Sequence, residues 1–147
     1  MEHYSKQYQI VRNDIGNAGT VASLTKRELK KRGLSREFVK KVIIGIYEAE
    51  INVVIHSYGG TCDVEINDEF IRVTYRDIGP GIECITSAMT AGFSTASKIA
   101  IENGFGAGMG LPNIKSVSDE MSLESTKEGT ILCIKFNIYN FTWFRFS

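Results

Sequence analysis

Little in this sequence is suited to covalent cross-linking, metal caging or polyanion binding. Its three cysteines, Cys62, Cys84 and Cys133, are odd in number, far apart and without paired ligand spacing. They argue against a disulfide framework or a zinc site and fit a reducing cytoplasm. Seventeen basic residues meet seventeen acidic ones, with no long basic run of the sort that tracks a nucleic-acid backbone or an anionic membrane, so neither partner is expected. No apolar run approaches the roughly 20 residues that cross a bilayer, and no charged-then-apolar signal opens the chain. Internal repeats and linkers are also missing. The 147 residues, 43% apolar, are expected to form one soluble cytoplasmic domain over 1–147.

What is there falls into regular elements. Residues 8–13 read as a strand and 18–31 as a helix ending at Gly33, a residue suited to a left-handed cap. Ser35 reads as the N-cap of a second helix. In it Val39, Val42, Ile43, Ile46, Val53 and Val54 share one arc at about 100° per residue, and it stops near Tyr58-Gly59-Gly60. Residues 62–67 and 70–76 alternate as strands around a tight turn at Asn67-Asp68. A short helix over 83–91, a small-residue lid at 92–97 and a helix over about 109–119 follow, with Pro112 admissible in the last helix's first turn. Strands over 121–125 and 130–137 flank the turn 127–129. The aromatic tail, 139–147, is expected to pack on the domain or to offer a contact surface, a homodimer contact among the options.

Three segments carry chemistry. Arg76-Asp77-Ile78-Gly79-Pro80-Gly81 can present a carboxylate to a purine amino group without a side chain blocking the ring. Gly104-Phe105-Gly106-Ala107-Gly108-Met109-Gly110, opening a helix, can offer bare backbone N–H groups and a positive dipole end to phosphates. Glu48, Asn52 and His56, spaced i, i+4, i+8, project from one side of the second helix. There Asn52 can give one oxygen to Mg²⁺, which otherwise keeps waters and phosphate oxygens, and Glu48 can accept a proton from an attacking hydroxyl or water. Taken alone, Glu48 and Asn52 fit a solvated helix face better; the two glycine segments downstream turn the balance. His56 is open between a phosphate contact and a half-buried imidazole, and Lys115 reads as a solvated lysine.

Glu-x-x-x-Asn, Asp-x-Gly-x-Gly and Gly-x-Gly-x-Gly in this order resemble the N, G1 and G2 boxes of the ATP-binding superfamily that joins gyrase B, Hsp90, sensor histidine kinases and the MutL proteins. The short lid and compact length resemble the bacterial anti-sigma-factor serine/threonine kinases, most of all their stressosome switch-kinase branch. The resemblance implies a two-layer α/β sandwich: a mixed, mostly antiparallel sheet, about three helices on one face, and an ATP lid. It implies that Asp77 contacts adenine, that Gly79 and Gly81 leave room for the base, and that Thr130 supports Asp77 through hydroxyl or water contacts. Gly104, Gly106, Gly108, Met109 and Gly110 would shape the phosphate site, Asn52 would bind Mg²⁺ and Glu48 would be the general base.

The same resemblance implies a protein kinase that uses ATP and Mg²⁺ to phosphorylate a serine or threonine of a STAS-domain antagonist, with a PP2C-type phosphatase or a sigma factor as further partners. A nucleotide-gated anti-sigma factor or phosphatase-activating module with little transfer is the alternative; Glu48 and Asn52 weigh against it, and Ala96, where sigma-binding members often carry a basic residue, weighs against direct sigma-factor sequestration. A histidine-kinase catalytic part is disfavoured because neither His3 nor His56 lies on a dimerising helical hairpin. One residue departs from the family pattern. Glu50 falls on the apolar arc, where a carboxylate must find a partner or be protonated. It is expected to pair with a basic residue of the first helix, or to mark a rotation of its own helix toward the site.

Overall fold

A computed structural model of the chain describes residues 3–79 and 110–139. The helix expected over 83–91, the lid at 92–97, Gly81, Gly104, Gly106, Gly108, Met109 and nearly all of the aromatic tail lie outside the described residues.

Alternation builds the sheet. In β2 (Gly60–Ile66), β3 (Phe70–Asp77) and β5 (Gly129–Asn137), every second side chain is buried. Cys62, Val64 and Ile66 pair with Tyr75, Val73 and Ile71, and these with Leu132, Ile134 and Phe136. Nine side chains of one face thus form the floor of the core, each hydrophobe contributing roughly 1.5–3 kcal/mol on full burial. β1 (Tyr4–Ile10) and β4 (Glu120–Thr126) close the two edges in the order β1-β2-β3-β5-β4. All four pairings are antiparallel. The opposite face stays polar and carries ion pairs such as Arg76–Asp63 at 2.8 Å and Arg72–Glu65 at 3.1 Å.

The first strand lies earlier than the sequence predicts, at 4–10 instead of 8–13. Its ladder ends where Ile10 meets Gly60, and Asn13 then takes a positive φ of 58° with its N–H on the Val54 carbonyl. The polar residues of this edge strand hide its beginning from a reading by hydrophobicity.

Helices α1 (Thr20–Lys31), α2 (Arg36–His56) and α3 (Gly110–Val117) cover the apolar face. The Ser35 hydroxyl accepts from the Phe38 N–H at 3.3 Å, which starts α2 where the sequence places its cap. α2 is buried on most of its circumference, with α1 on one flank and α3 on the other. It meets the sheet at Gly45, where a β-carbon would stand 2.7 Å from the Phe136 ring. The buried Tyr75 hydroxyl donates to the Ile46 carbonyl at 2.9 Å and pins the helix over β3.

Candidate functional site

Two elements meet at the candidate site: the C-terminal part of α2 and the end of β3. Ser57, buried just past α2, donates its hydroxyl to the Val53 carbonyl at 2.6 Å and accepts from the Gly59 N–H at 3.0 Å. The chain then turns back along β3, where the Tyr58 N–H donates to the Ile78 carbonyl at 2.7 Å and the Ile78 N–H to the Gly59 carbonyl at 2.9 Å. A β-carbon on Gly79 would stand 3.3 Å from Ser57 Cα and from the Tyr58 nitrogen. The first glycine of the Asp-x-Gly-x-Gly box therefore makes room for the end of α2. Sequence reasoning missed Ser57 and this tether, because backbone pairing between distant segments leaves no side-chain signature.

Asp77 closes β3 as expected of a carboxylate at a strand end. It is half-buried, and its Oδ1 accepts from the Thr130 N–H at 2.9 Å. Burial raises its carboxyl above the ordinary aspartate value, while the Thr130 amide pulls it back. The sequence reading has Thr130 support Asp77 by hydroxyl or water; the direct contact is instead the backbone amide. The Thr130 hydroxyl lies 2.8 Å from the Ser125 hydroxyl on β4. The register explains this, since a residue ending an antiparallel ladder offers its N–H across the strand while its side chain points to a face.

Asn52 and Glu48, one turn apart on α2, are both partly exposed. A β-carbon on Gly110, the first residue of α3, would stand 2.9 Å from Asn52 Nδ2 and 3.1 Å from its Oδ1. The amide of Asn52 thus rests against bare backbone at the first described residue of α3. Such a cradle fits a phosphate group with a divalent cation: one side-chain oxygen set directly against glycine backbone, with no β-carbon between them. Among the described residues, no three His, Cys, Asp or Glu converge into a metal cage of their own. His56 is half-buried, and burial holds its imidazole below the ordinary value. Lys115 is exposed.

Glu50 faces away from this cradle and is 3% exposed. Its partner is not a basic side chain. Oε2 accepts from the Gly19 N–H at 2.9 Å and the Val21 N–H at 3.5 Å, and Oε1 from the Ala22 N–H at 3.3 Å. The carboxylate caps the N-terminus of α1, whose own N-cap, Gly19, has no side chain to do so.

Residues 11–136 match the family described as histidine kinase-like ATPase domain. The serine/threonine-protein kinase RsbT of Bacillus subtilis (strain 168) is 31% identical over 106 residues, which cover 69% of this chain and 74% of that protein. Among solved structures, the RsbU and RsbW domains of Rv1364c from Mycobacterium tuberculosis superpose with a TM-score of 0.58 at 16% identity. That match covers 92% of this chain and 32% of the other, so the present chain spans about a third of it. The SiaB-SiaC complex from Pseudomonas aeruginosa superposes with a TM-score of 0.54 at 14% identity, covering 90% of this chain and 89% of the matched one. Both structural likenesses are of fold.

Proposed function

The chain belongs to the histidine kinase-like ATPase domain family, and on that premise we propose that it is a serine/threonine protein kinase that uses ATP and Mg²⁺ and acts on a STAS-domain antagonist in a partner-switching module. The kinase relative supports the reaction class. The observation that carries the reading to this chain is the approach of Asn52 to the bare backbone of Gly110, with Glu48 one turn away on the same side of α2.

Asp77 accepts the adenine amino group, held in place by the Thr130 N–H. Gly110, together with Gly104, Gly106, Gly108 and Met109, presents backbone to the phosphates, and Asn52 supplies the protein oxygen for Mg²⁺. When bound, the cation neutralises charge on the transferring phosphoryl group. Glu48 accepts the proton of the substrate hydroxyl as its oxygen bonds to the γ-phosphorus, and the bond to the ADP oxygen breaks. Catalysis is then mostly positioning and charge neutralisation. The product carries a phosphate of roughly −1.5 to −2 charges, enough to break one interface and release the kinase to another partner, a phosphatase or a sigma factor.

The test is calorimetric titration with ATP, with and without Mg²⁺, followed by transfer from γ-labelled ATP to STAS-domain proteins of the same genome. Labelled serine or threonine in one of them, absent with Glu48→Gln, supports the kinase. Binding without transfer to any of them favours a nucleotide-gated binding module.

A further inference from the structure

We propose that Glu50 is a positioning residue: its grip on the N-terminus of α1 sets the roll of α2 and thereby aims Asn52 and Glu48 at the phosphate cradle. The inference rests on the nucleotide reading of that cradle.

The geometry follows from helix periodicity. Glu48 and Asn52 lie about 40° apart around α2, and Glu50 lies about 160° from each, on the opposite flank. Its carboxylate spans three backbone donors, Gly19, Val21 and Ala22, so both oxygens are engaged and rotation about the helix axis breaks the set. The Tyr47 ring packs against Gly19 at the same junction without a polar tie, and the Asn13 N–H holds the Val54 carbonyl ahead of it. Gly45 over Phe136 and the Tyr75 hydroxyl on the Ile46 carbonyl hold the helix against the sheet. Among the described residues, the polar grip between α2 and the start of α1 is Glu50.

The lever is long enough to matter. A side-chain tip about 6 Å from the helix axis moves by about 2 Å for a roll of about 20°. Displacements of about 1 Å at reacting groups cost about a hundredfold in rate. Asp77 stands on the sheet, outside this lever, so adenine recognition and cation placement should respond differently to a change at Glu50. A residue that only stabilised the fold would not separate them.

Wild type, Glu50→Gln and Glu50→Val are titrated with ATP, with and without Mg²⁺, alongside thermal melts and hydrogen exchange of the Gly19, Val21 and Ala22 amides. Gln keeps one carbonyl oxygen for these donors and Val keeps none. The expected result is faster exchange at the three amides in both variants and ATP affinity without Mg²⁺ within about twofold of wild type. The Mg²⁺-dependent gain is expected to fall about tenfold in Val, with part of it restored in Gln. A folded Val variant that melts lower yet keeps the full Mg²⁺-dependent gain overturns the proposal. So does an equal loss of affinity with and without Mg²⁺. If Val does not fold, Gln decides: a reduced gain supports the proposal and an unchanged one overturns it. A wild type that binds no ATP brings down the nucleotide reading and this inference with it, a failure told apart by the wild-type titration alone.

Discussion

The Thr130 N–H donates to Asp77 Oδ1 at 2.9 Å, joining the end of β3 to the start of β5 at the point where the sheet meets the candidate site. Among the described residues this amide is the donor to Asp77, and it engages one of the two carboxylate oxygens. That division of labour separates what holds Asp77 from what Asp77 is proposed to hold.

Asp77→Asn leaves an oxygen acceptor for the Thr130 amide, so the melting temperature is expected to stay close to that of wild type. The charged acceptor for the adenine amino group is lost, a hydrogen bond worth about 1.5–3 kcal/mol. ATP affinity is then expected to fall about ten- to a hundredfold by calorimetry. A variant that folds and binds ATP as wild type would remove Asp77 from the site.

Gly110→Ala places a methyl group against the Asn52 amide, the far end of a flexible side chain that can move away. Alanine also restricts the unfolded chain more than glycine does, worth about 0.4–1 kcal/mol where the backbone conformation suits it. Stability is expected to be unchanged or slightly higher, while the Mg²⁺-dependent part of ATP affinity drops several-fold. Paired melts and titrations check both halves, and an unaltered Mg²⁺ dependence would contradict the cradle.

Gly60→Ala is expected to do the reverse. Its β-carbon would run into the Arg76 carbonyl and Asp77 Cα across the β2–β3 ladder, backbone that cannot step aside cheaply. Overpacking of this kind costs about 1–3 kcal/mol. Urea denaturation should show a lower midpoint with an unchanged slope.

Glu50 sets a pH dependence. Burial raises its carboxyl above the ordinary glutamate value, although the N–H groups of Gly19, Ala22, Val21 and Thr20 pull it down. A carboxyl raised in the folded state binds its proton more tightly there, so its contribution to stability is full below the unfolded value and is lost as pH rises through the folded one. The stability of wild type relative to Glu50→Gln is therefore expected to be greatest near about pH 4 and to shrink toward neutrality. Melts across that range check the sign; a difference that grows with pH would mean that the ionised form is the one favoured.

Much of this was legible because it is local. Ser35 caps α2 through its own hydroxyl. Gly33 takes the left-handed conformation, φ 79°, after α1. Asn67 Oδ1 accepts from the Glu69 and Phe70 N–H groups and so makes the β2–β3 turn. Each is a side chain or a missing one acting within a few residues. The order of the three boxes placed Asp77 at a strand end and Gly110 at a helix start. What escaped is long-range: Glu50 reaches donors 28 to 31 residues away, and Thr130 uses its amide across a strand. The position of Glu50 on the apolar arc signalled that a partner must exist, yet backbone N–H groups are the same at every residue and announce nothing in sequence.

The junction of α2 with β3 is made by main-chain atoms: Tyr58 N–H to the Ile78 carbonyl and Ile78 N–H to the Gly59 carbonyl. The side chains at both ends, Tyr58 and Ile78, are 56% and 67% exposed. Substitution at these two positions by any residue but proline keeps the donors that make the connection. The spacing between the helix that bears Asn52 and the strand that bears Asp77 is therefore set by main chain and depends little on which side chains stand at these two exposed positions.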